Sequence, residues 1–311
     1  EILRDCNGLD HSEMSSPIYG AIEAGGTKFV VALATGPNEI LARTTLPTTT
    51  PPETLAAVVA FLNQAEDKHG KLSSLGVASF GPIDLHLESP TYGYITSTPK
   101  AAWTQTNVLG VLKESFSVPM GFDTDVNGAA LAECRWGAAQ SVDSCLYITV
   151  GTGIGGGFAC GSRTLQGLVH PEMGHVRIQQ LPQDEFPGVC PFHQNACVEG
   201  LASGPALEKR WGCPGHELPP EHEAWTLQVD YLAQALVNMI VVLSPECVVL
   251  GGGVMKQSHL FPPLRIRVQE LLNGYLEAPQ ILEENQDYIV PPLLGDNAGL
   301  LGALALGMDA G

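Results

Sequence analysis

One pattern occurs in both halves of the chain: an apolar run, a glycine turn that carries a threonine, and a second apolar run. It spans residues 22–31 and recurs at residues 148–159, with Gly25 matching Gly151. Short apolar runs that flank a glycine turn predict β-hairpins. Strands and helices alternate along the rest of the chain, which places it in the α/β class. The repeat therefore predicts two similar lobes with a cleft between them.

The two glycine turns can present backbone N–H groups to a polyphosphate from both sides of that cleft. Glycine allows the close approach of a phosphate and the positive φ that such turns use. Neither turn fits a P-loop motif, since Gly26 occupies the position where that motif requires lysine. Taken singly, each turn is also typical of an ordinary tight hairpin. A third glycine run, at residues 251–253, follows another apolar strand.

Four side chains between residues 175 and 197 have the spacing of a metal site. His175, Cys190, His193 and Cys197 supply the four nitrogen and sulfur donors of a closed tetrahedral zinc site. A Cys/His pocket without metal is the alternative interpretation. Zn2+ bound here would also hold Glu172 and Glu199 in place, because each lies two or three residues from a ligand.

Charge and cysteine content exclude some classes of protein. The formal net charge of −18 disfavours nucleic acid and anionic membranes as partners, since both are polyanions. The eight cysteines do not have the spacing of a secreted disulfide framework, so a reduced, cytoplasmic setting is expected. We find no signal peptide and no apolar run of membrane-spanning length.

Seven segments occur in the order found in the ROK family of sugar kinases. They are residues 22–28, 123–127, 151–156, 172–175, 190–199, 251–254 and 295–299. The chain resembles this family from about residue 19 to its end, and is most similar to the bacterial fructokinase branch. The resemblance implies a two-lobed actin-like ATPase (ribonuclease H-like) fold with an inter-lobe active-site cleft. It also implies a dimer that transfers the γ-phosphate of ATP to the 6-hydroxyl of a hexose.

The same resemblance implies a division of the chain into lobes. Residues 1–18 are expected to be a disordered tail or an added leader. Residues 19–121 and 298–311 form the predicted small lobe, and residues 122–297 the large lobe with the zinc motif. At 311 residues the chain is long enough for a core in each lobe.

The resemblance also assigns roles to individual residues. Asp125 is the expected general base that accepts the proton of the sugar hydroxyl; its alternative role is that of a helix N-cap. The implied sugar contacts are Gly81, Pro82, Thr124, Glu172, His175 and Glu199. The implied nucleotide contacts are Gly25, Gly26, Thr27, Gly151, Thr152 and Gly153, with Gly251, Gly252, Gly253 and Val254 on the adenosine side. Mg2+ is expected to bridge the phosphates.

Three departures from the broad family pattern resemble the fructokinase branch. Glu23 stands where most members have aspartate, Thr124 where most have asparagine, and His193 where many have cysteine. The loop at residues 98–100 resembles that branch as well. We therefore predict a homodimeric enzyme, an ATP:hexose 6-phosphotransferase that converts fructose to fructose 6-phosphate.

Other functions remain open at this point. A broad-specificity hexokinase acting on mannose or glucose would use the same residues. A sugar sensor without catalysis would keep the sugar site, although the retained Asp125 and glycine turns disfavour it. A sugar-responsive repressor is disfavoured by the acidic charge and by the short segment that precedes the first glycine turn.

Overall fold

The computed structural model of the protein describes residues 16–282 and 287–311. Most of the strands in this part of the chain belong to two five-stranded sheets, ordered β3-β2-β1-β4-β7 and β10-β9-β8-β11-β12, and β5 pairs with β6. The strands are β1 (Tyr19–Ala24), β2 (Lys28–Gly36), β3 (Glu39–Pro47), β4 (Ser74–Ser79), β5 (Tyr94–Ile95), β6 (Thr106–Asn107), β7 (Met120–Thr124), β8 (Ser144–Val150), β9 (Ile154–Cys160), β10 (Arg163–Thr164), β11 (Cys247–Gly251) and β12 (Ile289–Val290).

Helices alternate with these strands, and the predicted α/β class is confirmed. The α-helices of the described residues are α1 (Pro51–His69), α2 (Val108–Ser115), α3 (Asp125–Trp136), α4 (Val198–Ala202), α5 (Gly204–Trp211), α6 (Ala224–Leu243), α7 (Phe261–Leu272), α8 (Pro279–Leu282) and α9 (Ala298–Ala310).

Both sheets have the same arrangement of strands, as the sequence repeat predicts. In the first sheet, β1 pairs antiparallel with β2 and parallel with β4, and β4 pairs parallel with β7. In the second, β8 pairs antiparallel with β9 and parallel with β11, and β11 pairs parallel with β12. Helix α3 follows the first sheet and α9 follows the second. This is the two-lobed actin-like architecture that the sequence implied.

The two hairpin turns lie where the sequence places them. Ala24 faces Phe29 across the first turn, and Val150 faces Ile154 across the second. Strand β3 has no comparable sequence signal, because it lies at the edge of its sheet and none of its residues is buried.

Helices α3 and α9 pack against each other between the two sheets. A Cβ on Gly302 of α9 would lie 2.2 Å from the carbonyl carbon of Gly128 in α3, so this close approach requires glycine. Both helices begin at the cleft, since Asp125 and Ala298, their first residues, line the cavities described below. The fold therefore brings the first turns of both helices to the space between the lobes.

The lobe boundaries stay a prediction. Two contacts indicate where they need adjustment. Strand β7 pairs with β4 from Met120 to Thr124, so a boundary after residue 121 would divide this strand. The predicted tail lies outside the described residues as far as residue 15. Its last residue, Ile18, accepts a hydrogen bond through its carbonyl from the backbone N–H of Ser73 at 2.7 Å, and therefore belongs to the folded lobe.

In the described part of the chain, α6 is long and apolar enough to cross a membrane. The sequence analysis had found no apolar run of that length. Just over half of the most apolar window of α6, 56%, is buried inside the protein. Its buried side chains, including Trp225, Tyr231 and Leu236, join the apolar core of the second lobe. Packing in this core accounts for the apolar composition of α6.

Candidate active site

A cavity of about 590 Å³ opens between the two lobes; we call it the main cavity. It brings together predicted site residues from both lobes that are far apart in sequence. Those that line it are Gly26, Thr27, Gly81, Pro82, Thr124, Asp125, Gly151, Thr152, Gly153, Glu172, His175 and Glu199. The predicted catalytic, sugar and phosphate residues thus share one space, except for Gly25, which does not line the cavity. Their individual roles remain predictions.

Asp125 lies at the junction of β7 and α3. The N-cap of α3 is Thr124, whose Oγ1 accepts a hydrogen bond from the backbone N–H of Asn127 at 3.1 Å. Asp125 is therefore not the N-cap, which was the alternative interpretation of this residue. Its Oδ1 accepts a hydrogen bond from the backbone N–H of Val126 at 2.9 Å, which orients the carboxylate at the wall of the cavity.

The surroundings of Asp125 raise the pKa of its carboxyl group to about 7. Removal of the group from water is the largest cause, and the negative charge of Glu23 raises the pKa further. The hydrogen bond from Val126 acts in the opposite direction. A carboxylate with a pKa near neutrality is well suited to accept a proton and release it again.

One buried polar residue to which the sequence analysis gave no role, Asp123, holds the start of α3. Asp123 is 1% exposed, and its Oδ1 accepts hydrogen bonds from the Thr124 backbone N–H at 2.7 Å and from Asn127 Nδ2 at 2.9 Å. Its Oδ2 accepts hydrogen bonds from Thr164 and Gln166, which follow β9 in the second sheet. Asp123 thereby joins the end of β7 to the other lobe. Its position at a strand end, two residues before Asp125, is the sequence signal that could have identified it.

Backbone hydrogen bonds fix the conformation of both glycine turns. The Gly25 N–H donates to the carbonyl of Lys28 at 3.0 Å in the first turn. In the second, the Gly151 N–H donates to the carbonyl of Gly153 at 2.9 Å, and the carbonyl of Gly151 accepts from the N–H of Gly204 at 2.8 Å. Residues of both turns line the cavity. In neither turn does a glycine have the positive φ that the sequence led us to expect.

The third glycine run lies beside the main cavity. Gly251 and Gly252 line a second cavity of about 720 Å³, and Thr149 lines both, so the two spaces adjoin. Gly253 and Val254 line neither. At Gly252 φ is +88°, and a Cβ would lie 2.4 Å from a backbone oxygen of β8, so this turn requires glycine. An adenosine-binding role for this run stays a prediction.

His170 is a second residue that the sequence analysis missed. It is 4% exposed, and its Nε2 accepts a hydrogen bond from the backbone N–H of Ile83 at 3.0 Å. A Cβ on Gly81 would lie 3.2 Å from the imidazole ring, so the ring packs on the predicted sugar loop. His170 thus ties a loop of the first lobe to the segment that carries Glu172. Its place two residues before Glu172 was the available signal.

The four predicted zinc ligands form one cluster. Their ligand atoms all lie within 4.8 Å of one another. Cys190 Sγ is 3.8 Å from His175 Nδ1 and 3.7 Å from His193 Nδ1, and Cys197 Sγ is 3.8 Å from His175 Nδ1. Tetrahedral zinc with bonds of about 2.3 Å to sulfur and about 2.0 Å to nitrogen separates such donors by about 3.6 Å. The donor set and its spacing therefore fit a closed zinc site.

The cluster borders the main cavity. His175 belongs to both, and Glu199 lies two residues after Cys197. The backbone N–H of His193 donates a hydrogen bond to Cys190 Sγ at 3.4 Å, which fixes the position of the sulfur. A metal ion here would brace one wall of the cavity.

Two lobes of matching topology, with a carboxylate and two amide-lined turns facing one cleft, define an enzyme of the actin-like ATPase class. More narrowly, the chain belongs to the ROK family, whose family model matches residues 19–310.

Relatives in this family match the chain over nearly its whole length. A fructokinase from Pediococcus pentosaceus is 43% identical over 293 residues, which cover 94% of this chain and 98% of the relative. A fructokinase from Zymomonas mobilis is 44% identical over 297 residues, with 94% and 97% covered. The solved ROK hexokinase from Thermus thermophilus has a TM-score of 0.76 at 28% identity, with 94% and 98% covered. The predicted family and fold are confirmed.

Proposed function

We propose that this protein is an ATP-dependent fructokinase, which transfers the γ-phosphate of ATP to fructose and yields fructose 6-phosphate. The observation that carries the proposal is the position of Asp125, which lines one cavity together with the predicted sugar contacts and both glycine turns. Fructose is favoured because two full-length relatives bear the name fructokinase.

In this reaction Asp125 accepts the proton of the sugar 6-hydroxyl. The bond from the sugar oxygen to phosphorus forms while the bond from phosphorus to the ADP oxygen breaks. The raised pKa of Asp125, about 7, keeps a useful fraction of the carboxylate unprotonated at neutral pH and makes it basic enough to take the proton. Glu172, His175 and Glu199 hold the sugar through its hydroxyl groups, since a carboxylate can accept several hydrogen bonds in fixed directions.

The backbone N–H groups at the tips of the two glycine turns hold the phosphates, because those of Gly25 and Gly151 already donate to carbonyl groups within their turns. Mg2+ neutralises part of the phosphate charge when bound. The residues present fit such an ion, because Asp125, Glu172 and Glu199 bring carboxylate groups to the cavity that both glycine turns line. Carboxylate oxygens are ligands that Mg2+ prefers.

We also propose that His175, Cys190, His193 and Cys197 hold one zinc ion per chain. All four positions of a tetrahedral ion are taken by these side chains, so the ion has a structural role. Its effect on the reaction is to fix His175 and the segments that carry Glu172 and Glu199.

An ATP-consumption assay with fructose, mannose, glucose and N-acetylmannosamine tests the proposed function. Turnover that is fastest on fructose supports a fructokinase. Comparable turnover on mannose or glucose would instead identify a broad-specificity hexokinase. Binding of fructose without any ATP consumption would identify a sugar sensor and contradict the proposal.

We further infer a homodimer that works in the cytoplasm. The adjacent helices α6 and α7 expose the apolar side chains of Val241, Val242 and Ile266, which suits contact with a second copy. The cysteines of the described residues are free thiols, which suits a reducing compartment. Light scattering of the purified protein at twice the monomer mass would support the dimer, and a monomer mass would contradict it.

A further inference from the structure

We propose that Lys100 is a further catalytic residue, whose ammonium group contacts the phosphate that is transferred. The inference rests on the proposed phosphotransfer. Among the described residues, Lys100 is the only lysine or arginine that lines the main cavity. Asp125, Glu172 and Glu199 line the same cavity, so an incoming triphosphate meets an excess of negative charge. A cation at this place would offset that repulsion.

The loop that carries Lys100 is anchored next to the first glycine turn. Trp103 is 1% exposed, its Nε1 donates to the carbonyl of Thr49 at 2.9 Å, and its ring centroid lies 5.3 Å from that of Phe29. A Cβ on Gly26 would lie 3.8 Å from Cε of Lys100. The end of the lysine side chain therefore lies beside the tip of the turn that is expected to hold phosphate.

Lys100 has no acidic partner among the residues that the structure describes. Lys71 and Lys256 pair with Glu66 and Asp296 at 2.9 Å. Within residues 16–282 and 287–311, no carboxylate lies within 4.0 Å of Nζ of Lys100, although the side chain is partly buried. An ammonium group without a nearby counter-charge attracts an anion into the cavity that it lines. A phosphate group in the main cavity would supply the missing negative charge.

A positive charge at this position would assist the reaction. Negative charge is spread over the phosphoryl oxygens and grows on the ADP oxygen as transfer proceeds. A fixed cation lowers the activation barrier when it interacts more strongly with the transition state than with bound ATP. Asp125 and Lys100 would then act on different partners: the carboxylate takes the proton from the sugar, and the ammonium group stabilises the phosphoryl group.

The test compares three variants of the full-length protein. Lys100→Met removes the charge, Lys100→Arg keeps it, and Lys68→Met is the control because Lys68 is exposed in the last turn of α1. We expect Lys100→Met to lower kcat about 100- to 1000-fold, with the KM for fructose changed by less than about twofold. Lys100→Arg should recover at least about tenfold of this loss, and Lys68→Met should match the unmodified protein. A kcat for Lys100→Met within about threefold of the unmodified value would overturn the proposal.

A second measurement separates this inference from the choice of sugar. Calorimetric titration with magnesium AMP-PNP requires no sugar. The unmodified protein could bind this nucleotide and yet phosphorylate none of the four hexoses. In that case, binding of the nucleotide to Lys100→Met that is at least about fivefold weaker than to the unmodified protein supports the phosphate contact. Equal binding in that case overturns it. If the unmodified protein does not bind the nucleotide, both this inference and the proposed function are overturned.

Discussion

The carboxylate of Glu199 accepts a hydrogen bond from the backbone N–H of Ile154 at 3.0 Å. A Cβ on Gly153 would lie 2.8 Å from the same oxygen, so the carboxylate rests against the second glycine turn. Glu199 belongs to α4, two residues after Cys197 of the metal cluster. The wall predicted to bind sugar and the turn predicted to bind phosphate are therefore in direct contact.

Substitution of Glu199 should affect both substrates. In Glu199→Ala the sugar loses a charged hydrogen-bond acceptor, so we expect the KM for fructose to rise about 10- to 100-fold. The N–H of Ile154 in the second glycine turn also loses its acceptor, so the KM for ATP should rise as well. Glu199→Gln keeps an acceptor for Ile154, and its KM for ATP should stay near the original value. Steady-state kinetics with Glu208→Ala as a control, since Glu208 is exposed on α5, checks this. An unchanged KM for ATP in Glu199→Ala would refute the coupling.

The dependence of kcat/KM on pH should report the base. The carboxyl group of Asp125 has a pKa raised to about 7 and must be unprotonated to accept the sugar proton. Activity should therefore fall as the pH drops through about 7, where an unperturbed aspartate would stay active down to about pH 4. The inflection is measured from initial rates between pH 5 and pH 9 at a fixed low concentration of fructose.

Glu23→Gln provides the control for this profile. Removal of the negative charge of Glu23 lessens the rise in the pKa of Asp125, so the inflection should move to lower pH. A profile without an acidic limb above pH 5 would show that Asp125 does not limit the rate as a base.

His170 should stabilise the contact between the lobes. His170→Leu leaves the N–H of Ile83 buried without an acceptor, which should lower the free energy of unfolding by about 1–3 kcal/mol. The KM for fructose should rise as well, because the ring packs against Gly81 of the predicted sugar loop. Urea unfolding and kinetics measure the two effects, with His216→Leu as an exposed control. Equal stability of both variants would argue against a role for His170.

Metal analysis should find about one zinc per chain. Cys197→Ser should lose the metal and raise the KM for fructose, because the walls that carry His175 and Glu199 are no longer braced. Cys160→Ser is the matched control, since Cys160 is an exposed thiol outside the cluster. Protein purified without chelators that contains no zinc would contradict the proposed metal site.

The parts of the site that could be predicted from the sequence are those whose structure is determined by a short segment of the chain. A glycine turn between two apolar runs specifies its hairpin locally, and the junction of β7 with α3 specifies where Asp125 lies. The clustering of the four proposed zinc ligands could also be predicted, because three of them fall within eight residues of one another and are all cysteine or histidine.

The parts that were missed depend on contacts between distant segments. His170 and Ile83 are 87 positions apart, and Asp123 and Thr164 are 41 apart. No local pattern shows that such residues meet, since the packing of α3 and α9 decides how the lobes face each other. The proposed role of Lys100 likewise becomes visible only once the structure places its side chain beside the first glycine turn.

Asp125→Asn should also raise the thermal stability of the protein above neutral pH, which would report the raised pKa of Asp125 independently of activity. The folded state holds the proton of Asp125 more tightly than the unfolded chain does, so the charged carboxylate destabilises the fold as the pH rises from about 4 to above 7. A neutral amide removes this penalty. We expect a higher melting temperature for Asp125→Asn than for the unmodified protein at pH 8, and little difference at pH 4.

Turnover of Asp125→Asn, measured beside calorimetric binding of fructose to the same preparation, tests the central claim most directly. The account predicts that kcat falls about 100- to 10,000-fold while fructose binds within about threefold of its original affinity, because the amide cannot accept the proton but still fills the same space. Turnover close to that of the unmodified protein would contradict the assignment of Asp125 as the base.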